Sequence, residues 1–172
     1  PVPSWFRGFS APIKFNSNLS ISDKIYLVSN DSDPFNRWDS VQSLWLDYIL
    51  SPEKVEEKEL FDMIQNLFNK DFDFALLSEM ISLPSEQIIH QNVGKINVEE
   101  VNNKREKSIL SVGQNLNEIF LETFQKLNYK KTFDLSSQSV AERALKNKCL
   151  SYLIKLGEYE LAYEQFNSAD CM

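Results

Sequence analysis

Apolar positions along most of this chain recur at spacings of three and four. Over residues 34–50, Phe35, Trp38, Val41, Trp45, Tyr48 and Ile49 fall on one stripe, the pattern of a helix with a single buried face. Asp33-Pro34 stands just before it: an N-cap acceptor, then a proline whose missing N–H costs nothing in a first helical turn. Ser51-Pro52 repeats this start signal, and Leu60, Phe61, Ile64, Leu67 and Phe68 form the next stripe behind a charged run at 53–59. Residues 71–81 predict a short helix ending at Leu83-Pro84, and Ser85 caps another that Gly94 ends. Asn97 and Glu100 have capping-box spacing. The helix they open is expected to reach Leu127, with Val101, Ile109, Val112, Leu116, Ile119, Phe120, Phe124 and Leu127 inward and Gly113 marking a bend or a close helix contact. Ser139 and Glu142 make a second capping box for a helix that Gly157 stops, and residues 158–169 begin one more.

The first fifteen residues differ. Pro1, Pro3 and Pro12 fix φ and withhold backbone donors, so this piece is not helical. Ile13 and Phe15 alternate with Lys14, predicting a short strand over 11–15 that needs partners to be stable. The expected fold class is therefore all-α with a short N-terminal β or extended segment. Short-linked helices pack as antiparallel pairs, in a bundle or an α-solenoid. No fixed sequence period is present, so a solenoid here is an irregular one.

Composition adds bounds. The 172 residues suit one domain, or one plus a small appendage, and 42% apolar with 25% charged residues is ordinary globular usage. A net charge of −7 without a basic stripe argues against a nucleic-acid partner. No run of 18 apolar residues occurs, so no membrane-spanning helix is expected. Cys149 and Cys171, without CxxC spacing, fit free thiols in a reducing compartment, hence a cytoplasmic location. The opening at Pro1 and the close at Cys171-Met172 without a helix stop read as a piece of a longer polypeptide. Leu161, Ala162, Phe166 and Ala169 at one end, and the Ile13/Phe15 strand at the other, then predict self-association through uncovered apolar faces.

Candidate chemistry is sparse. His90 is the one histidine, too few for a zinc site or a convincing Ser/His/Asp triad, and no GxSxG surrounds any serine. Cys149 lies inside a helical stretch beside Leu150 and reads as a buried, inert thiol. Asp31/Asp33 and Asp71/Asp73 lack the glycine and glutamate of a calcium loop and read as caps. No GxGxxG or GxxxxGK[ST] occurs. Arg37 and Arg143 lie beside apolar stripes, where a bidentate carboxylate bond would tie helices together.

Five strings, taken in order, resemble the bacterial-type aminopeptidase N family, the zinc-dependent alanyl aminopeptidases of the gluzincin group. Pro1-Val2-Pro3-Ser4-Trp5-Phe6-Arg7-Gly8-Phe9-Ser10-Ala11-Pro12 is similar to its PVPS-x-x-R-x-FSAP segment. Asp33-Pro34-Phe35-Asn36-Arg37-Trp38-Asp39-Ser40-Val41-Gln42-Ser43-Leu44 is similar to its D-x-F-x-RWDA-x-QSL helix. Leu83-Pro84-Ser85, residues 142–150 and Gln165-Phe166-Asn167-Ser168-Ala169 follow. Glu142 and Lys146 depart, standing where the family has arginines, and Cys171 stands where it has asparagine.

The resemblance implies that residues 1–15 end a small β-sandwich domain and that residues 16–172 begin a C-terminal helical superhelix. It places the zinc ligands, the general-base glutamate and the glutamate that holds the substrate's amine upstream, so no residue of this chain takes a catalytic, cofactor-binding or metal role. The helical region would roof the active-site chamber and limit access to peptide substrates. Its partners would be the remaining domains of the parent enzyme. The competing reading is a standalone α-solenoid scaffold that binds a protein on its concave face.

Overall fold

A computed structural model describes residues 2–5, 7–8, 18–69, 72–93, 97–129 and 133–169. Among these, every regular element is helical: α1 Ile21–Asn30, α2 Pro34–Leu50, α3 Glu57–Phe68, α4 Phe74–Met80, α5 Glu86–Asn92, α6 Val98–Asn115, α7 Asn117–Leu127, α8 Ser137–Lys155 and α9 Tyr159–Ser168. The strand expected at 11–15 lies outside the described residues, as does Gly94.

The start and stop signals act through the hydrogen bonds they predict. Asp33 caps α2 by accepting from the Asn36 amide (3.0 Å), and Asp73 caps α4 by accepting from Leu76 (2.9 Å). Ser85 caps α5, and Asn97 caps α6 by accepting from the Glu99 amide (3.1 Å) rather than in the box its spacing to Glu100 predicts, Glu100 pairing instead with Lys104. Gly157, at φ 101°, closes α8: its amide reaches Ile154 O (3.0 Å) and the Glu158 amide reaches Leu153 O (3.1 Å), a Schellman pair.

Three boundaries differ from the sequence expectation. Ser51-Pro52 opens only a 3-10 turn, Pro52–Lys54, because buried Val55 then takes extended backbone before α3 begins. The long helix expected from Asn97 breaks in two at Leu116 (φ −113°, ψ 14°), not at Gly113. Gly113 serves the close contact: a Cβ there would sit 3.4 Å from Leu156 Cγ. Gly113→Ala is therefore expected to change stability by less than about 1 kcal/mol, helix propensity offsetting the tight contact. Gly113→Leu should cost about 1–3 kcal/mol by overpacking in the same chemical denaturation series. Finally, α8 starts three residues early: Ser136 is its cap, accepting from Ser139 (3.3 Å). Glu142, buried, instead accepts from the Tyr129 hydroxyl and the Gln138 side chain, both at 2.9 Å, and so ties the preceding loop to the helix.

Helices α2 and α8 are the two hubs. Helix α2 packs on α1, α4 and α6, and α8 on α4, α6, α7 and α9. Contacts thus join helices far apart in the chain as well as successive ones. Val41, Leu44, Trp45, Leu60, Ile64, Met80, Phe120 and Leu153 are sealed from solvent between them.

Between the hubs lies a link, residues 81–85, in which Ile81, Leu83 and Pro84 are buried. Buried loop backbone is costly unless its polar groups are paired. Here side chains from three helices take the carbonyls in sequence. Gln42 Nε2 donates to Glu79 O (3.3 Å) and Ser82 O (3.0 Å), Trp45 Nε1 to Met80 O (2.8 Å), Tyr152 OH to Ile81 O (2.6 Å) and Arg105 Nε to Pro84 O (2.8 Å). These bonds complete the open C-terminal end of α4 and fix α2, α6 and α8 around it.

Candidate functional site

The candidate chemical groups are dispersed. His90 sits half-buried in the last turn of α5. Among the described residues no three His, Cys, Asp or Glu side chains converge as a metal site would require. Cys149 is sealed inside α8, and burial pushes its thiol up to about 12, which keeps it protonated and unreactive at neutral pH. Cys171 and Asp71 lie outside the described residues. Asp33 and Asp73 are caps, as their spacing predicts.

Tyr48 joins α2 to α3 and α6. Its hydroxyl donates to Glu57 Oε1 (2.7 Å) and accepts from Ser111 (2.8 Å); burial raises its pKa to about 12, so it stays a neutral donor. The remainder of the 53–59 charge run is solvent-exposed apart from Val55.

Both arginines depart from the carboxylate pairing expected of them. Among the described residues Arg37 makes no ion pair: its Nε donates to Val28 O at 2.8 Å, and its guanidinium lies 4.0 Å over the Phe72 ring. Asp39, a candidate partner two residues along α2, does not pair with Arg37; the charge that acts on it is Lys24 of α1. Burial lowers the Arg37 pKa, and nearby Asp31 partly opposes this. Arg143 donates to Asp134 O (3.1 Å) and stacks 5.0 Å from the Phe133 ring. In both cases an aromatic face and a carbonyl replace the carboxylate, a pairing open to a planar cation. Arg37→Met is accordingly expected to cost about 1.5–3 kcal/mol, the range for hydrogen bonds to charged groups. Thermal melts showing the larger loss of a broken buried ion pair, about 3–5 kcal/mol, would contradict this geometry.

Several large apolar and aromatic side chains are exposed, three of them on α9. On α9, Leu161 and Ala162 pack on the core, while Tyr159, Tyr163 and Phe166 recur at helical spacing as an exposed stripe. Phe166 is 79% exposed. No helix among the described residues is long and apolar enough to cross a membrane. A stripe of this kind favours association. Light scattering should show the apparent mass rising above 20.0 kDa with concentration. Phe166→Ser should suppress that rise; a monomeric mass at every concentration would refute it.

A family model described as "Domain of unknown function (DUF3458_C) ARM repeats" matches residues 21–172. The chain belongs to this family. The match begins at the first residue of α1 and takes in every helix of the fold. Aminopeptidase N of Escherichia coli is 27% identical over the whole chain, and that of Haemophilus influenzae 23%. Aminopeptidase N of Caulobacter vibrioides is 26% identical over 89% of the chain. The chain spans about a fifth of the length of these relatives: 21%, 21% and 18%. The crystal structure of Legionella pneumophila aminopeptidase A in complex with aspartic acid matches 96% of this chain and 21% of that one, with a TM-score of 0.83 at 22% identity. The resemblance read from the five strings is borne out by these relatives, and the all-α architecture by the fold match.

The sequence reading missed two features. The carbonyl-capping set of Gln42, Trp45, Arg105 and Tyr152 joins residues 21 to 71 positions apart and leaves no local spacing signal. The second is a joint between the N-terminal segment and the α1–α2 corner, described below.

Proposed function

We propose that this chain is a non-catalytic helical region of a zinc-dependent aminopeptidase, beginning its C-terminal superhelix at residue 16 and carrying the end of a β-sandwich domain in residues 1–15. The observation that carries this reading is the match of the whole chain to about a fifth of aminopeptidase N. The parent enzyme would release N-terminal residues from peptides in the cytoplasm, where the free, buried Cys149 is stable. Zinc would be its cofactor. The described residues here do not fit that metal, since no ligand set converges. It would be held by other domains of the longer polypeptide.

In this role the chain contributes shape. Its helices would roof the chamber in which peptide is cut, and the aromatic face of α9 would be covered by further helices of the superhelix. A roof needs rigidity more than reactive groups. The capped 81–85 link supplies rigidity by locking α2, α4, α6 and α8 through side-chain bonds to one stretch of backbone.

The roofing role is tested by substrate size. The whole polypeptide should trim an unstructured peptide with N-terminal alanine and leave intact a small folded protein bearing the same residue on a short, ordered N-terminus. Equal trimming of both would reject the roof. The alternative, a standalone protein-binding scaffold, draws on the exposed Tyr159, Tyr163 and Phe166. It would be favoured if the whole polypeptide released no N-terminal residues.

A further inference from the structure

Ser4, Arg7 and Gly8 of the first string, residues 1–12, meet the α1–α2 corner, where the second string, residues 33–44, begins. Ser4 Oγ accepts from Asn36 Nδ2 at 2.8 Å. Arg7 Nη1 lies 3.2 Å from Asp31 Oδ1, and Arg7 Nη2 donates to Ser32 Oγ. The Gly8 amide donates to Asp33 Oδ2 at 2.9 Å. The bonds from Arg7 and Gly8 span 25 positions and that to Ser4 spans 32, so they define a tertiary joint.

The receptor side is preorganised. Asp33 uses one carboxylate oxygen to cap α2 and the other to hold Gly8. The amides of Asn36 and Gly8 hold its carboxyl below the usual range, so it is ionised at neutral pH. Asp31 is fixed by the Asp33 amide (2.8 Å), and its side chain is only 1% exposed. Its second oxygen, Oδ2, is buried and has no hydrogen bond among the described residues. A buried carboxylate so incompletely paired is costly, which favours keeping a cation against it. Arg37 is near and its charge acts on Asp31, but its Nε donates to Val28 O, its guanidinium lies over the Phe72 ring, and its buried Nη2 makes no hydrogen bond among the described residues, so it does not pair with Asp31 directly. Arg7 is the cation that approaches from the solvent side, half-exposed. Gly8, at φ 74°, takes left-handed backbone; a side chain there would be strained although nothing crowds the space.

We propose that the α1–α2 corner is a docking site for the segment that precedes the helices, an ionic latch in which Asp31 and Ser32 receive Arg7 and Asp33 receives the Gly8 amide. The latch fixes Ser4, Arg7 and Gly8 over the first helix pair. In the longer peptidase, and resting there on the domain reading above, it would set the angle between the helical region and the domain before it. The bonds of Ser4, Arg7 and Gly8 to the corner are all polar. The latch is therefore a joint that holds position rather than a part of the core.

Amide hydrogen exchange at Gly8, read by NMR on the 172-residue chain, tests this. In the native protein the Gly8 amide should exchange at least about tenfold more slowly than in a peptide of residues 1–12. Arg7→Met should return it to within about twofold of the peptide rate while the helical circular dichroism melt stays in place. Lys58→Met removes an equal charge from the exposed Lys58–Asp62 pair on α3 and should leave Gly8 protected. Asp31→Asn should release Gly8 as well, though it also alters a buried site. Unprotected Gly8 in the native chain, or protection that survives Arg7→Met, would overturn the latch. So would loss of the helical melt together with protection, because Arg7 would then belong to the fold. All readouts come from this chain without peptidase activity, so the latch and the aminopeptidase reading fail independently.

Discussion

Trp45→Ala is expected to destabilise the chain by about 3–5 kcal/mol through the cavity it leaves. A further cost of about 1–3 kcal/mol is expected because the Met80 carbonyl loses its partner. The ring is completely buried, packs edge-on to Tyr48 at 6.3 Å between centroids, and donates from Nε1 to the end of α4. For a chain of this size the melting midpoint should fall by on the order of 10 °C. Trp45→Phe separates the two contributions, keeping most of the ring and leaving the carbonyl bare. It should cost about 1–3 kcal/mol. A Trp45→Phe melt equal to the parent's would mean that the link does not depend on its side-chain caps.

Phe120→Ala is the second large effect expected, about 3–5 kcal/mol. Phe120 is fully buried on α7 and stacks on Tyr152 of α8 at 4.8 Å and 16°, with Phe68 of α3 at 6.0 Å on another side. Removing it opens a void where three helices meet. It also loosens the ring that holds Tyr152 OH against Ile81 O. Tyr152→Phe keeps the stack and should cost only about 1–3 kcal/mol. The two losses should sum to more than the double mutant shows, because both act on one ring pair. Denaturant titrations give the comparison; strict additivity would mean that the stack does not position the hydroxyl.

Much of the fold was legible because its signals are local. Asp33, Asp73, Ser85 and Asn97 cap helices through bonds spanning two or three residues, and Gly157 ends α8 through its own φ. Where the reading failed, a tertiary demand outweighed a local one. The pull of buried Val55 into the core interrupted the helix start at Ser51-Pro52. Burial of Leu116 came with a break in an otherwise continuous apolar stripe. Glu142 has capping spacing from Ser139, yet Tyr129 and Gln138 claim its carboxylate. Arg37 was recognisable as a tethering residue from its place beside the stripe. Its partners, Val28 O and Phe72, were not, since one is backbone and the other lies 35 positions away.

The proposed role was legible only through the strings that resemble aminopeptidase N. Residue chemistry pointed to no reactive site, and the exposed α9 stripe by itself gives no partner. The latch shows why two of those strings hold together: Ser4, Arg7 and Gly8 from one bind Asn36 and Asp33 from the other, with Asp31 and Ser32 at the same corner.

The proposed function places this chain in an aminopeptidase whose chemistry lies elsewhere in the polypeptide. Hydrolysis of an alanyl-arylamide by the full-length polypeptide and by the 172-residue chain, each with and without a zinc chelator, tests it most directly. The account predicts turnover by the full-length polypeptide that the chelator abolishes and added zinc restores, with none by the chain alone. No turnover by the full-length polypeptide, or turnover by the chain alone that follows it through purification, would contradict the account.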